Sequence, residues 1–217
     1  MRTGLLALVM AMLALPACSQ SDPVFQIDFS NPALSPSHWT LTVHPDGSGH
    51  FRSERGSATA ESSQTVDAPN LDRDIQLSAG FAQRVFQIAH RHNWAGEECE
   101  SHIKVAFQGW KKLSYSGSEG PGACTFNYAK DKETQALADS LMAVSGTILE
   151  GARLEMMLAH DRLSLDREME YLVEASGDGR IQQLCAIRGI LERLAEEPSV
   201  MERVRKRALL LLAKAGR

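Results

Sequence analysis

Apolar and polar positions alternate with a period of two through the first half of the chain and with a helical period through the second. Val24 to Phe29 is a short apolar run that ends a Ser-, Pro- and Asn-rich stretch, and predicts a first short strand. Trp39, Leu41 and Val43 alternate with polar residues. Pro45-Asp46-Gly47-Ser48-Gly49 is dense turn chemistry and Phe51 resumes the pattern, so a hairpin is expected. Gly56 to Pro69 is rich in Ser, Thr and Ala and reads as a loop or an edge strand. Ile75 and Leu77 predict another strand. Ser78 then has the chemistry of an N-cap, followed by Phe81, Val85, Ile88, Ala89 and His92 at helical spacing. Ile103, Val105 and Phe107, then Leu113 and Tyr115, then Cys124, Phe126 and Tyr128 predict a three-stranded meander. Its turns fall at Gln108-Gly109-Trp110 and at Gly117 to Gly122.

From Asp131 the pattern changes. Leu137, Leu141, Val144, Ile148 and Leu154 mark one long helix reaching towards His160, and Gly146 and Gly151 within it suggest close packing against a neighbour. Ser164 is placed to cap a second helix that stops at Gly177. Asp178 would cap a third carrying Ile181, Leu184, Ile187, Leu191 and Leu194. Pro198-Ser199-x-x-Glu202 reads as a capping box for a fourth. The expected fold class is α+β, with antiparallel strands and one helix in the front half and a bundle-like helical back half. The expected divisions are 1–17, 18–37 (a tether ending in the first strand), 38–130 (the α+β domain) and 131–217 (the helical region).

Composition narrows the class. Of 217 residues, 43% are apolar and 23% charged, which excludes a disordered or collagen-like chain. Twenty-three basic against 27 acidic residues give a net charge of −4, which carries no electrostatic footprint for nucleic acid. Counting back from the two meander turns brings Cys99 and Cys124 to the same end of the middle strand, so a disulfide between them is expected. Its loop of about 25 residues would contribute roughly 3 kcal/mol. Cys185 lies on the apolar stripe of a predicted helix and is expected to stay a free, buried thiol.

The N-terminus reads as an address. Arg2 precedes an almost unbroken apolar run from Leu5 to Leu15, the layout of a secretory signal and too short to span a bilayer. Leu15-Pro16-Ala17-Cys18 resembles the lipobox of bacterial lipoproteins, departing from it at Pro16. The resemblance implies cleavage before Cys18, a lipid on its thiol, and, with Ser19 next to it, delivery to the outer membrane facing the periplasm. An ordinary signal cut nearby, such as after Ser19, would instead give a soluble periplasmic or secreted protein. Cys99-Glu100-Ser101, Gly109-x-Lys111-x-Leu113-x-Tyr115-x-Gly117 and Cys124-x-Phe126-Asn127-Tyr128 resemble a stretch of uncharacterised bacterial envelope proteins, which brings no activity with it. Val204-Arg205-x-x-Ala208-x-x-x-Leu212 is similar to the second helix of a HEAT-type repeat, without a second copy at a fixed period.

Candidate chemistry is thin. His90, His92, Glu97, Glu98, Glu100 and His102 crowd together as metal ligands would, but helical residues two apart face different ways. His44 and His50 flank the hairpin turn as a two-nitrogen clip lacking a third ligand. Asp67, Asp72 and Asp74 lack a calcium loop's spacing. Ser116-Gly117-Ser118 is a turn rather than a nucleophile elbow, and His160-Asp161 has no nucleophile tied to it. Arg203, Arg205, Lys206 and Arg207 lie beside Glu192, Glu196, Glu197 and Glu202, which predicts mutual pairing on a solvated face. Trp39, Trp94 and Trp110 are expected to be core aromatics before a binding patch. No cofactor or metal is expected. The leading reading is a lipid-anchored envelope protein that binds or scaffolds another envelope protein. The rival is an envelope hydrolase acting on peptide or glycan through unassigned His and carboxylate residues.

Overall fold

The computed structural model describes residues 22–54, 70–96, 98–118 and 120–216. The fold is α+β. β1 (Val24–Ser30), β2 (His38–Val43), β3 (Ser48–Glu54), β4 (Leu71–Gln76), β5 (Trp110–Gly117) and β6 (Gly120–Phe126) form one antiparallel sheet in the order β4-β3-β2-β1-β5-β6. The strand expected at the end of the tether is thus interior, with Ile27 opposite both Leu41 and Leu113. Its apolar run reflects that position. The expected hairpin forms β2 and β3, and Asp46 accepts from Ser48 N (2.9 Å) to close its turn. The stretch from Gly56 to Pro69 lies outside the described residues.

Alternation gives the sheet two unlike faces. Phe25, Ile27, Phe29, Trp39, Leu41, Phe51, Leu113 and Phe126 are buried on one side. Gln26, Asp28, Thr40, Thr42, His50, Arg52, Lys112 and Ser114 occupy the other. The apolar face is covered by α1 (Ala79–His92) and α2 (Lys132–His160). Ser78 caps α1 as expected, its Oγ accepting from Phe81 N (3.3 Å). Asp131 does the same for α2 by accepting from Thr134 N (2.7 Å).

Two cores meet along α2. Leu137, Leu141, Val144, Ile148 and Ala152 belong to the core beneath the sheet, whereas Leu154 and Leu158 join that of α3 (Leu165–Asp178), α4 (Arg188–Glu196) and α5 (Glu202–Ala215). Gly151 sits where a Cβ would strike Ile187, which explains that glycine; open space surrounds Gly146, so packing does not explain the other. Arg73 of β4 pairs bidentately with Glu155 of α2 (3.2 and 3.0 Å).

Four local expectations fail for identifiable reasons. Residues 101–109 form no strand: His102 is left-handed (φ 55°), and Val105 N closes a tight turn on Ile103 O (3.0 Å) instead of bonding to a neighbouring strand. Gly179, not Gly177, is the left-handed stop of α3 (φ 84°). The helix expected from Asp178 begins late: Gln183 is left-handed (φ 56°), a 3₁₀ turn spans Leu184–Ile187, and α4 follows. Asp178 instead pairs with Arg180 (2.8 Å). The capping box does not form either, since α5 starts at Glu202 after Met201 while the Ser199 hydroxyl turns to Glu197 and Arg162.

Candidate functional site

The distinctive local structure lies between the end of α1 and the start of β5. Asn93 and Trp94 are consecutive residues with positive φ (45° and 32°), a conformation that side chains other than glycine's resist. It turns Trp94 into the core, where its Nε1 donates to Thr134 Oγ1 (3.3 Å). The Asn93 carbonyl lies over Gly122 of β6, where any Cβ would collide with it. The chain then returns along the end of β6. Cys99 O accepts from Lys130 N (2.8 Å), Ser101 N donates to Tyr128 O (3.0 Å), and Cys99 is bonded to Cys124 with Cα atoms 5.8 Å apart. The expected disulfide is present. Its partners are brought together by this return rather than by a strand at 103–107.

A cleft of about 560 Å³ opens beside the disulfide, lined by His92, Trp94, Glu98, Cys99, Lys130, Asp131 and Thr134. The His92 ring stacks over Trp94 (6.2 Å between centroids, 8° between planes), and its Nε2 lies 2.8 Å from Glu133 and 3.6 Å from Asp131. The hydrogen bond with His92, helped by Arg91, holds the Glu133 carboxyl below its usual range. Burial works to raise the Asp131 carboxyl, but hydrogen bonds from Thr134 outweigh it and hold that group low too. On the cleft wall His92 faces Asp131 and is held from behind by Glu133, and among the described lining residues the one serine or threonine hydroxyl, that of Thr134, accepts from Trp94. The cleft can hold a small polar molecule.

Beyond Ser101 the same return carries an exposed apolar strip. Ile103 (54% exposed), Val105 (38%), Phe107 (52%) and Trp110 (48%) follow one another in sequence, and Phe107 meets Trp110 edge-on at 5.9 Å. The strip is fastened at its far end. Asn127 Oδ1 accepts from Gln108 N (2.7 Å) while its Nδ2 donates to Ala106 O (3.3 Å). Lys111 is buried behind it and donates to Asn127 O (2.8 Å); burial pushes its ammonium group down from the usual range against the pull of Asp139 and Glu100. Gly109 has φ 111° and leaves no room for a Cβ against Phe29, so the bend into β5 requires glycine. Nothing in the sequence marked Asn127 as the clasp; an asparagine at a strand end is too common to signal one.

The remaining candidates are dispersed. The histidine and glutamate cluster splits, His92 towards Glu133 and His102 towards Glu98 (2.6 Å). Glu97 lies outside the described residues. Glu100 accepts from Asn127 N (2.6 Å). His44 and His50 do not form a clip: across from His50 stands Thr42, and its ring is clasped from β4 by Asp72 and Asp74, each at 2.9 Å. Hydrogen bonding to Asp74 raises the His50 pKa above its usual value. Asp67 is outside the described residues. Ser116 and Gly117 end β5 and Ser118 begins its turn to β6; at His160-Asp161 the carboxylate accepts from Ser164. The basic residues of α5 pair chiefly with α3, since Arg203 and Arg207 both hold Asp166 and Arg207 also reaches Glu170 (3.4 Å), while Lys206 takes Glu202 (2.7 Å). Trp39 and Trp94 are core residues and Trp110 is not. Cys185 is a half-buried free thiol whose pKa burial pushes up. Among the described residues no group of three His, Cys, Asp or Glu side chains could hold a metal ion, and no helix is long and apolar enough to cross a membrane. Cys18 lies outside the described residues. No protein-family model and no curated protein matches this chain.

Proposed function

We propose that the protein is a cell-envelope lipoprotein, held to the membrane through Cys18, that acts as a non-enzymatic binding or scaffold module for another envelope protein. The observation that carries the binding reading is the exposed row of Ile103, Val105, Phe107 and Trp110. Four large apolar side chains exposed within eight residues, two of them in contact, fit a surface that a partner covers. The Cys99–Cys124 bond supports export, because disulfides persist in oxidising compartments. The resemblance of Leu15 to Cys18 to a lipobox supports the anchor and the outer-membrane, periplasm-facing location. The hydrolase reading is weaker: the cleft contains one histidine, already held by Glu133 and Asp131.

Two measurements test this reading separately. Cys18→Ala should move the protein from the membrane fraction to the soluble fraction, and unchanged membrane association refutes lipid anchoring. A photo-crosslinking residue in place of Phe107, in living cells, should yield protein adducts that the same residue in place of Thr125 does not. Equal yields at both positions would refute the binding reading.

A further inference from the structure

We propose that the sheet end bearing the start of β1 and the β2–β3 and β5–β6 turns faces the lipid surface that holds Cys18, so that Phe107 and Trp110 are presented away from that membrane. The inference rests on the lipid-anchor reading above. It adds the surface that meets the bilayer and the side from which a partner arrives.

Strand register defines the two ends. Val24, the first residue of β1, stands opposite Ser116 near the end of β5, and Phe25 stands opposite Val43, the last residue of β2. The turn from His44 to Gly47 joins β2 to β3 at this end, and Gly117 opposite Gly120 closes β5 onto β6 there. The start of α1 is fixed to the same end, because Leu77 N donates to Gly47 O (2.8 Å) and Gln76 Nε2 donates to Asp46 O (3.2 Å). At the other end Ser30, the last residue of β1, stands between His38 and Trp110. Phe107 lies against Trp110 there, and Leu34 belongs to the loop from β1 to β2.

Chain length decides which end meets the lipid. Six peptide steps separate Cys18 from Val24, a reach of at most ~20 Å. β1 has seven residues and runs about 20 Å at ~3.3 Å per residue. The tether end can approach the bilayer at any extension of that connection. Trp110 reaches the bilayer only when the connection is drawn out fully alongside β1, and β1 is an interior strand, so the connection must first clear the sheet. The side chains agree with this orientation. Asp22, Pro45, Asp46, Ser78 and Ser118 are exposed at the tether end, and among the described residues of its turns no large apolar side chain is exposed, so this end meets headgroups without inserting. Leu34, Phe107 and Trp110, each about half exposed, all lie at the other end.

Quenching from the bilayer tests the orientation. The full-length lipidated protein carrying Cys185→Ala is reconstituted in phosphatidylethanolamine–phosphatidylglycerol vesicles with a nitroxide on the headgroup. It is labelled with bimane at Ser118→Cys, Pro45→Cys or Ala33→Cys. Bimane at positions 118 and 45 should be quenched several-fold more than bimane at position 33. Lipids brominated on their acyl chains should leave the emission of Trp110, taken as the difference from Trp110→Phe, unquenched. Equal quenching at positions 118 and 33, the reverse order, or quenching of Trp110 by the brominated lipids overturns the orientation. Mass spectrometry of the N-terminal peptide keeps the two readings apart: a Cys18 without lipid removes the anchor and the orientation together, whereas a lipidated protein with equal quenching removes the orientation alone.

Discussion

The sheet half and the helical half of this molecule are held together by different means. The sheet joins residues far apart in sequence: β1 lies between β2 and β5, and the Cys99–Cys124 bond ties the chain after α1 to the edge strand. Its core is aromatic, with Phe29 stacked on Trp39 at 5.2 Å and Trp39 against Phe51 at 5.9 Å. The helical half has a small aliphatic core of residues such as Leu154, Leu172, Leu191 and Leu211, with ion pairs between its helices. A covalent tie suits the half whose contacts cost most chain entropy to form. The helical half instead holds two largely buried carboxylates at its α2–α3 contact, which makes it sensitive to pH.

Core truncation should give the largest effect and the least contrast. Leu141→Ala, beneath the sheet, and Leu191→Ala, in the helical core, each remove a fully buried side chain and should each cost about 2–5 kcal/mol in denaturant unfolding. A single cooperative loss in both variants would show that the two halves unfold as one. Removing the disulfide comes next. Cys99→Ala with Cys124→Ala should cost roughly 3 kcal/mol, and amide hydrogen exchange should quicken in β5 and β6 more than in α4 and α5. Equal loss of protection in both halves would erase the distinction.

Titration should act the other way. Glu150 of α2 lies beside the buried Glu168 of α3, with Arg153 between them (3.8 Å from Glu150 and 3.3 Å from Glu168). Burial, together with hydrogen bonding to and repulsion by Glu168, raises the Glu150 pKa from 4.5 to about 7, against the pull of Arg153. A carboxyl that holds its proton more tightly when folded stabilises the fold fully below its unfolded pKa. That contribution is lost as pH rises through about 7. Raising pH from 5 to 8 should therefore weaken the α2–α3 contact by an amount on the order of 1–3 kcal/mol. Glu150→Gln should flatten this pH dependence, read as the melting temperature across that range; an unchanged slope would show that the pair does not govern it.

What could be read in the sequence was whatever local chemistry decides. Ser78 caps its helix, Asp46 closes the β2–β3 turn, and the apolar spacing from Leu137 onward marks α2. What could not be read depends on neighbours. A period of two in Ile103, Val105 and Phe107 states that one face wants cover, and says nothing of whether a strand stands beside it. Ser199 carries the right residues for a capping box, but Arg162 and Glu197 compete for its hydroxyl. The cysteine pairing was legible, the route of the chain that brings the pair together was not, and Asn127 as the clasp of the exposed strip had no signature at all.

The 29-residue helix α2 is shared property. At ~1.5 Å per residue it runs on the order of 40 Å, packing beneath the sheet as far as Ala152 and supplying Leu154 and Leu158 to the other core beyond it. Severing the chain before Lys132 would therefore not release two free-standing units. It would leave α1 as the one helix over the sheet and expose part of the apolar face to solvent, so the piece ending there should precipitate unless the missing helix is supplied in trans.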